Sequence, residues 1–107
     1  MKQNIFISDK HLNDVRNILK QYLPDNAVVW VFGSRAKGNG GNVKPFSDLD
    51  LAIAMSDGNK LDIKLIFALT QAFEESLLPW KVDIIDYHDI TTEFQQIINE
   101  HRQRLYL

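Results

Sequence analysis

A chain of 107 residues, 45% hydrophobic and 24% charged, has the composition of one ordinary globular domain with enough length to bury a real core. A net charge of −2 gives no electrostatic footprint for nucleic acid, and the lack of cysteine excludes disulfides and thiolate–metal sites. The opening residues carry no long apolar stretch of the signal-peptide kind, and the longest apolar run, Ala27 to Phe32, is too short to span a bilayer. A single cytoplasmic domain over residues 1–107 is expected.

In chain order, Ser8 can cap a helix in which Leu12, Val15, Leu19 and Tyr22 recur at helical spacing, until Pro24-Asp25-Asn26 stops it. Ala27-Val28-Val29-Trp30-Val31-Phe32 is β-branched and aromatic throughout and reads as a strand buried on both faces. Gly33 ends the strand, and Ser34 opens a short helical turn through Arg35 and Ala36. Gly38 to Asn42 reads as a mobile loop that Pro45 helps to close. A second strand is expected from Asp48 to Met55, then a turn at Ser56 to Asn59.

Leu61, Leu65, Ile66, Leu69, Ala72 and Phe73 give a second amphipathic helix that ends before Pro79. A third strand follows from Trp80 to Asp86. Thr92 and Gln95 form a capping box for a last helix, with Phe94, Ile97, Ile98 and Leu105 on its apolar side. That helix and the Tyr106-Leu107 tail carry more apolar surface than so small a domain readily covers, so a partner helix or a second copy is expected there. The expected fold is α/β (α+β), with a mixed three-stranded sheet backed by helices. The second helix serves as the crossover between two parallel strands.

The most informative pattern is acidic. Asp48 and Asp50 are two apart in a strand, so their side chains leave on one face, and Asp83 lies near the start of the third strand. Two carboxylates about 6 Å apart repel by a few kcal/mol at an effective dielectric near 20. Such crowding calls for a cation, and oxygen ligands favour Mg²⁺. Parallel pairing would bring all three acids to one sheet edge, and Gly33-Ser34 joins them if the first two strands are antiparallel. The chemistry of that arrangement is metal-dependent phosphoryl or nucleotidyl transfer, with Gly33 letting backbone approach a phosphate and Ser34 offering a hydroxyl and an amide.

Other candidates have plainer readings. Arg35, Lys37 and Lys44 could neutralise a triphosphate, although Lys37 and Lys44 also suit a solvated basic loop, and Arg35 a structural carboxylate. Asp86 should point away from Asp83 as a strand-end residue. His11, His88 and His101 lack ligand spacing and read as surface histidines, and Trp30 and Trp80 as core.

Phe32-Gly33-Ser34-Arg35-Ala36-Lys37-Gly38, Ser47-Asp48-Leu49-Asp50-Leu51-Ala52-Ile53 and Val82-Asp83-Ile84-Ile85-Asp86 together resemble the DNA polymerase β-type nucleotidyltransferase superfamily. Within it the short chain is similar to the minimal nucleotidyltransferases, the MNT half of HEPN/MNT toxin–antitoxin pairs. The loop between Ser34 and Asp48 is a few residues longer than in many minimal members. The resemblance implies the nucleotidyltransferase fold, with ATP or another NTP bound through Gly33, Ser34 and Arg35. It implies two Mg²⁺ ions on Asp48, Asp50 and Asp83, with these acids as the catalytic residues. It further implies AMP transfer to a hydroxyl, a tyrosine on a HEPN partner, in a hetero-oligomer or a homodimer. Two other functions fit the same residues: a nucleotide-binding module that covers its partner with little catalysis, and a small-molecule nucleotidyltransferase, against which the lack of a second domain counts.

Overall fold

The computed structural model describes residues 5–36 and 43–107. Helix α1 runs Asp9–Tyr22, capped by the Ser8 side chain, which accepts from the His11 N–H, and it buries Leu12, Val15 and Leu19. Such a cap contributes about 1 kcal/mol. Strand β1 is Ala27–Phe32, and a 3₁₀ turn follows over Gly33–Arg35. Strand β2 is Leu49–Met55. Helix α2 is Ile63–Glu74, capped by Asp62, and strand β3 is Val82–Asp86. Helix α3 is Thr92–His101, and strand β4 is Gln103–Leu105.

The described residues form a four-stranded mixed sheet in the order β3-β2-β1-β4. β1 pairs antiparallel with β2 from Ala27↔Met55 to Phe32↔Asp50, and β2 pairs parallel with β3 from Leu49↔Val82 to Ile53↔Asp86. The α2 crossover is therefore where the acids require it. Alternation sends Val29, Val31, Leu49, Leu51, Ile53 and Val82 to one face. There they form the main core with Leu12, Val15 and Leu19 of α1 and Leu69 and Phe73 of α2. Helix α3 serves the other face, where Phe94 meets Phe32 edge-on with ring centroids 6.1 Å apart. β1 is thus fully buried only on its α1–α2 side, and half-buried under α3.

Several expectations need correction. Leu105 does not continue the last helix: α3 stops at His101, and Leu105 sits in β4 opposite Val29, 1% exposed in the main core. The sheet therefore has a fourth strand where three were expected. Thr91, rather than Thr92, caps α3, accepting from the Phe94 N–H. β3 begins at Val82, not Trp80. The Gly38 to Asn42 loop and Lys37 lie outside the described residues.

Candidate active site

The 3₁₀ turn that follows β1 brings Gly33 onto the start of β2. Gly33 has φ +75°, a conformation that L side chains rarely adopt, and a Cβ built there would collide with the Asp50 carboxylate. Two independent reasons thus demand glycine at this position. Ser34 is half-buried in the same turn, whose far end is closed by the Ala36 N–H donating to the Gly33 carbonyl at 3.1 Å.

Asp50 is the register partner of Phe32 on one side and of Asp83 on the other. Register partners share a face, so both acids emerge on the α3 side of the sheet. Asp50 is half-buried, and its pKa is raised to about 6, first by burial, then by the negative charges of Asp83 and Asp48, with Lys81 opposing. Asp48 precedes the strand and is exposed, and Asp83 is half-exposed on the edge strand.

Sequence reasoning missed Lys81, whose Nζ lies 3.2 Å from Asp83 Oδ1. Its spacing of two from Asp83 was the available signal. Among the described residues, no three such groups converge on a shared ion position, so the expected three-acid metal cluster is not gathered. Asp50 and Asp83 share one edge and one face, and Asp48 lies just ahead of β2, giving hard oxygen donors with a crowded, half-buried carboxylate at the centre. This donor chemistry fits a Mg²⁺ ion once Asp83 leaves Lys81.

The Arg35 side chain turns inward, although it was expected among the triphosphate contacts. It is 5% exposed and donates Nε to the Ser47 carbonyl at 2.9 Å, one NH to the Phe6 carbonyl at 2.9 Å and the other to the Pro45 carbonyl at 3.2 Å. Its guanidinium carbon also lies 4.7 Å from the ring centroid of Trp80. Burial pulls its pKa below the ordinary value, and Asp48 opposes that shift.

Asp86 is buried and structural: it accepts from the Leu61 N–H at 2.7 Å and the His88 N–H at 3.1 Å. His88 Nε2 lies 3.2 Å from the Met55 carbonyl, and the His11 ring meets Trp80 edge-on at 5.8 Å. Lys44 is exposed near the start of β2.

The sequence profile of the Polymerase beta nucleotidyltransferase family matches residues 13–107. The chain is 43% identical over 94 residues to the "Probable protein adenylyltransferase MntA" of Haemophilus influenzae, covering 88% of this chain and 77% of that protein. It is similar in fold to a chain of a toxin–antitoxin complex with AMP-PNP, at a TM-score of 0.67 and 23% identity over 89% of this chain and 72% of that one. It is also similar to a chain of the complex between a tri-AMPylated Shewanella oneidensis HEPN toxin and MNT antitoxin. There the TM-score is 0.68 at 21% identity, covering 94% of this chain and 72% of that one.

Proposed function

Because the chain belongs to the Polymerase beta nucleotidyltransferase family, we propose that it transfers AMP from ATP to a tyrosine hydroxyl of a HEPN toxin and serves as that toxin's antitoxin. The observation that carries this reading is the fit of Gly33 against Asp50, with Asp83 in register beside it. Backbone without a side chain meets a crowded carboxylate at the one place where a phosphate chain and a cation would have to meet.

In this reading Asp48, Asp50 and Asp83 would hold Mg²⁺, which when bound polarises the α-phosphate and acidifies the attacking hydroxyl. Gly33 and the Ser34 hydroxyl and amide would line the triphosphate. The acceptor oxygen forms a bond to the α-phosphorus as the bond to the β-phosphate bridge breaks. Pyrophosphate leaves, and Asp83 at the open edge takes the hydroxyl proton. Catalysis needs that hydroxyl about 3–3.5 Å from phosphorus, and the partner chain would supply the geometry. Such a reaction belongs in the cytoplasm, and among the described residues no helix is long and apolar enough to cross a membrane.

The test is to incubate the chain with labelled ATP, Mg²⁺ and the purified HEPN partner, then weigh both proteins. One or more AMP additions on a partner tyrosine, lost in Asp50→Asn, are expected. Rapid modification of a free small molecule without any partner would overturn the antitoxin reading. The ungathered acids favour a second reading, a module that neutralises its partner by binding alone. Full toxin neutralisation by Asp50→Asn would select it.

A further inference from the structure

The buried guanidinium of Arg35 touches every segment that carries a site residue. Its own backbone is the last residue of the Gly33–Arg35 turn. Two of its hydrogen bonds end on the Pro45 and Ser47 carbonyls, immediately before Asp48 and the start of β2. Its guanidinium carbon lies over the ring of Trp80, two residues before β3 and three before Asp83. A third hydrogen bond holds the Phe6 carbonyl, while the Phe6 N–H donates to the Arg35 carbonyl at 2.8 Å. The two acid-bearing strands also begin with a direct bond, from the Leu49 N–H to the Lys81 carbonyl at 2.9 Å.

We propose that Arg35 is a positioning residue for the nucleotidyl-transfer site: it fixes the segments leading to Asp48 and Asp50, and to Asp83, relative to the Gly33-Ser34 turn, without touching nucleotide. A planar fork reaches the carbonyls of Phe6, Pro45 and Ser47 while its central carbon lies over an indole. A lysine ammonium keeps the charge and loses both that geometry and the stack. Among the described residues, the three hydrogen bonds from the Arg35 side chain end on backbone oxygen, so its task is to place main chain. The role rests on the proposed AMP transfer, yet part of its test does not depend on turnover.

The test compares the full chain with Arg35→Lys, with Trp80→Leu, which removes the ring beneath the guanidinium while keeping an apolar side chain in the core, and with Arg16→Met as a cation lost elsewhere. Amide exchange at Leu49 reads the junction of β2 and β3 directly, Mn²⁺ titration reads the acids, and AMP transfer to the HEPN partner reads the reaction. In Arg35→Lys, Leu49 exchange should rise about tenfold while α1 protection holds. Mn²⁺ affinity should fall several-fold, and kcat about 30-fold, with KM for ATP–Mg²⁺ changed less than threefold. Trp80→Leu should move the same readouts by smaller factors, and it decides the matter if Arg35→Lys does not fold. Arg16→Met should match the parent chain. A rise in KM with kcat unchanged would make Arg35 a nucleotide ligand and overturn the proposal. Parental Leu49 exchange and Mn²⁺ affinity in both variants would also overturn it. Absence of AMP transfer in the parent chain would defeat the proposed function alone, since the exchange and Mn²⁺ arms still decide the role of Arg35.

Discussion

Asp50 and Asp86 sit on neighbouring strands of one sheet, and the protein treats them in opposite ways. Asp86, at the end of β3, is 7% exposed and accepts two backbone N–H bonds, from Leu61 and His88. It ties the segment before α2 to the turn after β3, and its burial is matched by its partners. Asp50, near the start of β2, faces two more carboxylates and a glycine turn, and its proton affinity is raised by burial and like charge. One acid is placed to stabilise the fold. The other is kept at a cost to stability, which is the arrangement expected where chemistry is done.

The comparison can be broken most severely at Asp86. Asp86→Ala leaves two N–H donors without an acceptor and should cost about 3 kcal/mol in denaturant unfolding. A loss below about 1 kcal/mol would remove the contrast.

Gly33→Ala tests the other end. It imposes a strained φ and a collision with Asp50, so it should cost about 2 kcal/mol. It should also lower AMP transfer on the order of 100-fold by displacing the carboxylate. Stability and activity equal to the parent would mean that the turn relaxes freely.

Asp50→Asn should go the other way and stabilise the metal-free chain. The folded pKa of about 6 lies above the ordinary carboxylate value, so the folded state holds more protons than the unfolded state between about pH 4 and 6. Parent stability therefore falls as pH rises through that window, and the asparagine variant lacks this loss. At pH 8 the variant should be ahead by about 1 kcal/mol, after allowing for solvent screening, and the gap should close below about pH 4. Thermal melts across pH would check it, and a variant less stable at pH 8 would assign Asp50 a structural hydrogen bond. The smallest effect belongs to Lys81→Met. Its ion pair with Asp83 is exposed on both sides and should change stability by less than about 0.5 kcal/mol.

Much of this contrast was legible in the chain. The long α2 crossover implied the parallel pairing that brings Asp83 beside Asp50. Asp86, three residues from Asp83, read correctly as pointing away. What was hidden depended on distant partners. Leu105 keeps helical spacing with Ile98, and only pairing with Val29 and Val31 turns Gln103–Leu105 into a strand. Arg35 reads as a phosphate ligand beside Gly33-Ser34, because its true acceptors lie 10, 12 and 29 residues away. Local chemistry announced the acids. The scaffold that aims them is non-local.

The β1–β4 pairing has a consequence for synthesis. Val29 and Leu105 face each other across ~75 residues of chain. At roughly 5–20 residues per second, the outer edge of β1 waits several seconds on the ribosome for its last neighbour. During that time Val28 to Phe32, a run without a charge, is open to pairing with any other nascent strand. Truncation before Gln103 would make that exposure permanent, and such chains should accumulate as aggregates although every acid of the site is still encoded.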